Sequence, residues 1–474
     1  MRNTAVINVV GLTPDLLRYA PFLSRWADAG RSSTITPTLP AVTCSVQGTY
    51  LTGVVPSVHG IVGNGWYFRD EHEVKFWRQS NRLVQSPKIW ETARAIDPGF
   101  TCANMFWWYN MYSSADYAVT PRPMYPADGR KIPDVWTNPP ELRHELQDEL
   151  GQFPLFNFWG PNTTLAATEW ITRATMRVSE RFNPTLTLVY LPHLDYELQR
   201  VGPAGGTVAK HVGDVDGVCE ELITHFAQRG THVIVLSEYG ITPVRRPVSL
   251  NRTLREHGFI TVREELGREI LDAGASRAFV VADHQLGHVY VRDADDIPAV
   301  RALLEDQAGV DAVLEGRRRC AAGLDHERAG DLVVLAEADS WFTYYFWMDD
   351  DRAPDYARTV DIHRKPGYDP AELFVDPTLK APMAKVGLRV LQKKLGFRYL
   401  MDVIPLDASL VGGSHGRLPD APEYGPVLIS QQTDLVRSGH IHATAVHDII
   451  LNHLHDRRQP PGLERPPSTT RPPS

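Results

Sequence analysis

Four residues whose types do nucleophilic, acid–base and metal chemistry stand where a fold can expose them. Thr43, in TLPAVTCSVQGTYLTG, carries a hydroxyl where a loop gives way to a helix expected to start at Cys44. A hydroxyl there is either a helix cap or a nucleophile, and a helix N-terminus welcomes an anion in both cases. Asp195 and Glu238 closely follow the apolar runs TLTLVYL and HVIVL. A carboxylate at the end of a buried strand is costly unless it is paired or liganded. His415, in GGSHGRLPD, precedes a glycine in a loop, which gives it little reason to be a core histidine.

The elements that must position these residues follow from the hydrophobic pattern. Thr4 to Val10, Thr101 to Trp107, Thr185 to Leu191 and His232 to Leu236 read as buried strands. Helical patterns fall between them, at Pro14 to Ala29, Lys88 to Ile96 and Val208 to Arg229. This alternation predicts an α/β fold with a central, mostly parallel sheet flanked by helices. Ligands of such sheets bind outside the carboxyl ends of the strands, which is where His193 to Asp195 and Glu238-Tyr239 lie. The aromatic run MFWWYNMY follows the strand at Thr101 to Trp107, so Trp107 and Trp108 either pack in the core or form a wall for a planar group.

The chain has 474 residues, enough for a large core without disulfides, and a formal net charge of −8. That charge argues against a nucleic-acid polymer as partner, but it permits a small phosphorylated substrate in a locally positive pocket. The four cysteines are far apart and form no CxxC pair. The apolar run at the start breaks at Gly11 and is too short to span a membrane, so the expected location is the cytoplasm. Residues 1–246 and 401–455 read as one core, and 247–400 as a smaller inserted α/β subdomain, with a strand at His288 to Val291. A last helix is expected from Ser438 to His455. Residues 456–474, rich in Pro, Ser, Thr and Arg, read as a disordered tail.

Five segments in order carry a resemblance: VINVVGLTPDLL, TLPAVTCSVQGTYLTGVVPSVHGIVGN, VYLPHLDYELQRVGP, VLSEYGI and GGSHGRLPD. Over roughly residues 4 to 425 the chain resembles the type I phosphodiesterase/nucleotide pyrophosphatase branch of the alkaline phosphatase superfamily. The resemblance implies an alkaline-phosphatase-like fold and a hydrolase with a threonine or serine nucleophile and two zinc ions. It places Thr43 on the nucleophile, Asp195 and His415 on ligands of one metal, and Glu238 on a ligand of the other. Three positions depart from the pattern. Val10 stands for an aspartate ligand, Gln199 for a histidine, and Tyr239 for the histidine after the aspartate.

Valine cannot ligate, a glutamine carbonyl is a weak neutral ligand, and a neutral tyrosine is a poor one. One ion (Zn²⁺, Mn²⁺ or Mg²⁺) is therefore expected rather than a zinc pair, held by Asp195, His415 and Glu238 or Gln199. His193 and Tyr239 are expected to contact substrate. VDIHRKPGYD offers Asp361 and His363 as auxiliary residues, ahead of VADHQLGH with Asp283, His284 and His288. Asn8 lies on the same strand face as Val10 but about 6–7 Å deeper, and is expected to be a poor substitute. The expected activity is metal-dependent phosphoester hydrolysis through Thr43, assisted by Glu238 as base or ligand. The alternatives are an altered or inactive member that binds a phosphorylated metabolite, and a phosphoryl mutase.

Overall fold

The computed structural model describes residues 1–397 and 399–455. The apolar runs pair into a nine-stranded sheet. Its strands are β1 (Thr4–Val9), β2 (Arg31–Thr36), β3 (Cys102–Met105), β4 (Tyr117–Pro121), β5 (Val135–Asn138), β6 (Leu186–Leu191), β7 (His232–Leu236), β8 (Val427–Ser430) and β9 (Gly439–His442). They lie in the order β9-β2-β8-β7-β1-β6-β3-β4-β5. β1 pairs in parallel with both β6 and β7, β3 with β4 and β6, and β2 with β9. β8 runs against β2 and β7, and β5 runs against β4. Every residue of β1 and β6 is buried, as expected of central strands covered by helices on both faces.

Two groups of helices flank the sheet. α1 (Pro21–Ala29), α3 (Ala166–Phe182) and α4 (His193–Val201) pack against α5 (Val208–Ala227), while α2 (Thr43–Thr52) packs against α6 (Ala445–His455). Three elements differ from the sequence pattern for local reasons. The expected helix from Pro14 is a 3₁₀ turn, Asp15–Tyr19, followed by α1, because Ala20 precedes a proline and leaves the helical region at φ −116°, ψ 79°. β3 stops at Met105 because Phe106 takes a left-handed φ of +71°. The expected last helix starts only at Ala445, because Gly439–His442 pairs instead with β2 at the sheet edge, with only Ile441 of the four buried.

The segment 247–400 contains a four-stranded antiparallel sheet, in the order Ala278–Asp283, Leu286–Val291, Leu332–Ala336, Val310–Leu314. Trp341, Phe342, Tyr344, Phe346 and Trp347 are buried in a second apolar core beside it, which also takes in Ile61, Val62, Trp66 and Phe76 from early in the chain. Burial of each such ring stabilises by roughly 1.5–3 kcal/mol. The two parts of the chain thus meet across a shared core, and the loop carrying His415 runs along that seam. No described helix is long and apolar enough to cross a membrane. The tail at 456–474, expected to be disordered, lies outside the described residues.

Candidate active site

Thr43 is not the helix cap. It is the first residue of α2, the capping position falls to Val42, and no side chain closes that end from the capping residue. The backbone N–H of Cys44 is instead taken by Asn64 Oδ1 at 3.0 Å, and Asn64 is held by Asp283 through its backbone N–H at 2.7 Å and its Nδ2 at 3.0 Å. With its capping duty met from elsewhere, the Thr43 hydroxyl turns to the strand ends and lies 3.0 Å from the hydroxyl of Tyr239.

Tyr239 passes the contact on, donating to Asp195 Oδ1 at 3.1 Å. Asp195 sits in the first turn of α4, directly beyond β6, and Gln199, one turn later on the same face, donates its Nε2 to Asp195 Oδ2 at 2.6 Å. Gln199 Oε1 accepts from Tyr368 at 3.0 Å. His415 Nε2 approaches Asp195 Oδ1 at 3.7 Å, and its ring stacks on Tyr239 with centroids 3.6 Å apart. His284 lies against His415 with centroids 3.7 Å apart and rings tilted by 37°, and Tyr368 stacks on His284 at 3.7 Å. Tyr239, His415, His284 and Tyr368 thus form a continuous pile of rings, and the hydroxyls at its two ends meet through Gln199 and Asp195.

Burial sets the charges. It raises Asp195 to about 7, against the opposing hydrogen bonds from Tyr239 and Gln199. It lowers His415 to about 3, so the 3.7 Å approach to Asp195 is made by a neutral imidazole and is not an ion pair. A carbonyl only accepts, so the 2.7 Å bond to Ala41 O fixes the proton on Nδ1 and leaves the Nε2 lone pair toward Asp195. His415 is held in place by its neighbours: Gln285 N–H donates to His415 O at 2.8 Å, and Ala41 N–H to Gly416 O at 2.9 Å. Gly416 needs φ +121°, and a Cβ there would come within 3.0 Å of Gln285 N.

Glu238 stands on the other side of Thr43. Its Oε1 accepts from Asn8 Nδ2 and Gln47 Nε2, both at 2.5 Å. Burial raises Glu238 to about 8, while Gln47, Asn8 and Thr43 favour its ionised form. The strand register explains the Asn8 contact. Asn8 is level with Leu236, so Glu238 lies two residues beyond it on the same face, and its longer arm folds back to cover the step. Asn8, expected to be a poor substitute for a ligand at Val10, serves here as a hydrogen-bond donor to Glu238. Gln47 is one turn after Thr43 on α2, and its Oε1 is anchored by Trp108 N–H at 2.7 Å.

Other expected residues go elsewhere. His193 does not face Thr43: positions two apart on a helix point to different sides, so His193 turns from Asp195 toward His211, at 2.8 Å. Trp107 is in the main core and donates its indole N–H to Val189 O at 3.1 Å, so it offers no wall to a substrate. Trp108 is closer, tilted against Trp77 at 4.8 Å, which in turn meets Tyr368 at 6.1 Å. His363 points to Phe76 O, and Asp361 lies beside Lys131 and Arg364. Their segment contributes Tyr368 instead, and VADHQLGH contributes His284. Gln47, Asn64 and Tyr368 are the site residues that sequence reasoning did not name, and His284 was ranked behind Asp361 and His363. For Gln47 the signal was present, as four-residue spacing from Thr43.

His415 and Asp195 present two ligand atoms at a spacing that one ion would span. His415 Nε2 is buried without a hydrogen-bond partner, carries a lone pair, and is backed by a carbonyl on its other nitrogen, as metal-bound histidines are. Its 3.7 Å separation from Asp195 Oδ1 is what two ligands of one ion span at bonds of about 2.1 Å. A second ion would depend on Glu238 alone. Val10 is buried and inert, and the Tyr239 hydroxyl is spent on Thr43 and Asp195.

The architecture recurs in solved structures. Murine ectonucleotide pyrophosphatase/phosphodiesterase 5, in an inactive threonine-to-alanine form in complex with AMP, superimposes with a TM-score of 0.58 at 13% identity, covering 97% of this chain and 96% of that one. Phosphonoacetate hydrolase from Sinorhizobium meliloti 1021, in complex with phosphonoformate, gives a TM-score of 0.58 at 14% identity, covering 96% of both chains. The fold is therefore of the alkaline phosphatase type. An uncharacterized pyrophosphatase/phosphodiesterase from Schizosaccharomyces pombe is 24% identical over 243 residues, which are 49% of this chain and only 41% of that relative's length. The model of the type I phosphodiesterase / nucleotide pyrophosphatase family matches residues 4–369, a span that starts at β1 and takes in Thr43, Asp195, Glu238 and Tyr368. With that match running from the first strand through the helix that carries Thr43 and on to the ring pile, the chain belongs to the type I phosphodiesterase/nucleotide pyrophosphatase family.

Proposed function

We propose that the protein hydrolyses a phosphoester or phosphoanhydride bond of a small phosphorylated substrate, with Thr43 as nucleophile. The observation that carries this reading is the placement of the Thr43 hydroxyl at a helix N-terminus between two buried carboxyl groups, Asp195 through Tyr239 and Glu238 beside it. The murine neighbour's inactive threonine-to-alanine form supports the role of the hydroxyl, and its bound AMP supports a nucleotide-like phosphoester as substrate class.

In the reaction, Thr43 Oγ1 bonds to phosphorus as the bond to the leaving oxygen breaks, and the Thr43 proton passes to Glu238. Water then cleaves the phosphothreonine ester. With a pKa of about 8, Glu238 is basic enough for this step. Asn8 and Gln47 fix its carboxyl; because the Tyr239 proton goes to Asp195, the Thr43 hydroxyl donates to Tyr239 at rest and turns to Glu238 for the transfer. Asp195 and His415 would hold one divalent ion, which supplies Lewis-acid stabilisation of phosphoryl oxygens when bound.

A second reading has one specific observation in its favour. Tyr239 and Gln199 donate to both oxygens of Asp195, as protein groups standing in for an ion would in a binding protein. One experiment separates the two. Phosphodiesters, phosphomonoesters and nucleotides are assayed with and without Mn²⁺, Mg²⁺ and Zn²⁺, alongside Thr43→Ala. Hydrolysis expects turnover that falls at least a thousandfold in Thr43→Ala. Turnover that survives that change, or no turnover on any of them, overturns the hydrolase.

A further inference from the structure

A second cluster of metal-ligand side chains lies outside the Thr43 centre. Among the described residues, His193, His211 and Asp214 are the set of three whose ligand atoms all lie within 4.8 Å of one another. His193 opens α4, in the turn that leaves β6, and His211 and Asp214 are three apart on α5, so they share one face of that helix. His193 Nε2 and His211 Nδ1 are 2.8 Å apart, with ring centroids at 5.0 Å. Two imidazole nitrogens at that distance share at most one proton, so at least one presents a lone pair into the gap.

We propose that His193, His211 and Asp214 bind one divalent transition-metal ion, separate from the Thr43 centre, which clamps the turn carrying Asp195 to α5. Two imidazoles and a carboxylate are a donor set for Zn²⁺ and its first-row neighbours rather than for Mg²⁺ or Ca²⁺. Three protein ligands leave a fourth position open to water. The groups behind the ligands suit this use. Glu197 Oε1 is 3.8 Å from His211 Nε2, the ring nitrogen turned away from His193, where a carboxylate strengthens a metal-bound imidazole. Asp214 Oδ2 is held at 2.5 Å by Lys210, but that lysine side chain is 71% exposed and swings into water at little cost. The ion takes the place of the proton between the two rings, and that proton moves to the far nitrogen of the ring that held it, so each imidazole stays neutral and keeps one N–H. The site matters for the rest of the molecule because His193 and Asp195 share the first turn of α4. An ion tying that turn to α5 fixes the backbone from which Asp195 reaches Tyr239.

The test is independent of Thr43 chemistry. Zn²⁺ binding to the full chain is measured by titration calorimetry and elemental analysis, and Co²⁺ is added to read ligand geometry from its visible spectrum. Four proteins are compared: wild type, His211→Ala, His211→Gln and His415→Ala. The site expects micromolar or tighter Zn²⁺ binding. One equivalent is lost in both His211 variants and kept in His415→Ala, and an intense tetrahedral Co²⁺ band disappears only in the His211 variants. His211→Gln retains a hydrogen-bonding partner for His193, so loss of metal there is not a packing defect, and circular dichroism in chelator checks that each variant folds. Equal Zn²⁺ stoichiometry in wild type and both His211 variants overturns the proposal. So does wild-type binding weaker than about 100 μM, since the histidine pair is then a hydrogen bond only.

Discussion

The hydroxyl of Tyr239 lies 3.0 Å from that of Thr43 and 3.1 Å from Asp195 Oδ1, so a residue that departs from the family's metal-ligand pattern joins the Thr43 hydroxyl to a carboxyl group. Removing this oxygen in Tyr239→Phe keeps the ring stack on His415 but leaves Thr43 unrestrained. The expected result is a fall in kcat of about 10²-fold or more with a small change in KM, as for loss of a group that positions the attacking hydroxyl. Thermal stability drops by about 1–3 kcal/mol, because Asp195 loses a buried hydrogen-bond donor. Steady-state kinetics and a melting curve check both. An unchanged kcat would place the Thr43–Tyr239 contact outside the chemistry.

The two raised carboxyl groups make stability fall with pH. Asp195, at about 7, and Glu238, at about 8, are both above their unfolded values, so the folded state holds protons that the unfolded chain has lost. Their contribution is complete below about pH 4 and is lost as pH rises through 7 to 8. With chelator present, the wild-type melting temperature should therefore fall between pH 6 and pH 9. Glu238→Gln keeps an acceptor for Asn8 and Gln47 without a charge to bury, and should flatten the upper part of that fall. In activity the same residue acts with the opposite sign, since the base works when ionised, and kcat/KM should rise with pH up to about 8. A melting temperature that falls equally steeply in Glu238→Gln would remove Glu238 as the cause.

The sheet was readable because central strands are continuous apolar runs, and β7 appears in the structure with the bounds its sequence suggested. Thr43, Asp195 and Glu238 could be picked out as candidates because strand ends and helix starts are where a parallel sheet gathers its ligands, and His415 because it precedes a glycine in a loop. What surrounds them was not. His284 and Tyr368 reach the site from the segment at 247–400, and no local period reports that a loop folds back over a distant strand edge. The contact between Asn8 and Glu238 was not read, because backbone rise alone omits the reach of the Glu238 side chain. His193 was misplaced because nearness in sequence to Asp195 was read as nearness in direction, and the first turn of α4 sends the two apart.

Metal dependence should follow His415. If one ion is held by Asp195 and His415, turnover rises with added Mn²⁺, Mg²⁺ or Zn²⁺, and His415→Ala raises the concentration for half-maximal activity at least tenfold. His211→Ala leaves this particular dependence in place, which separates the two sites functionally. The Ala41 carbonyl, relieved of its 2.7 Å partner, is an additional cost of the His415 variant, so its melting temperature in chelator is measured with it. Equal metal activation in wild type and His415→Ala would remove His415 from the ligand set.

Lys365 controls the approach of Tyr368. It is buried, with Asp369 and Glu372 each 2.7 Å away, and Glu372 also accepts from the indole of Trp159 at 2.5 Å and from the Asp361 N–H at 3.0 Å. Tyr368 lies in the short loop between these ionic partners and reaches Gln199 from it. Lys365→Met fills the space but strands two buried carboxyl groups, one of which must take up a proton or the loop must open to water. Breaking a buried ion pair from one side costs about 3–5 kcal/mol. The expected outcome is a lower melting temperature that recovers in part below pH 5, where both carboxyl groups protonate. A fall in kcat should accompany it, as Gln199 loses Tyr368 and Asp195 loses its fixed partner. Combining Lys365→Met with Asp369→Asn and Glu372→Gln removes the stranded charges and should restore most of the stability. A Lys365→Met protein as stable as wild type at pH 7.5 would mean that the loop is held by its apolar contacts instead.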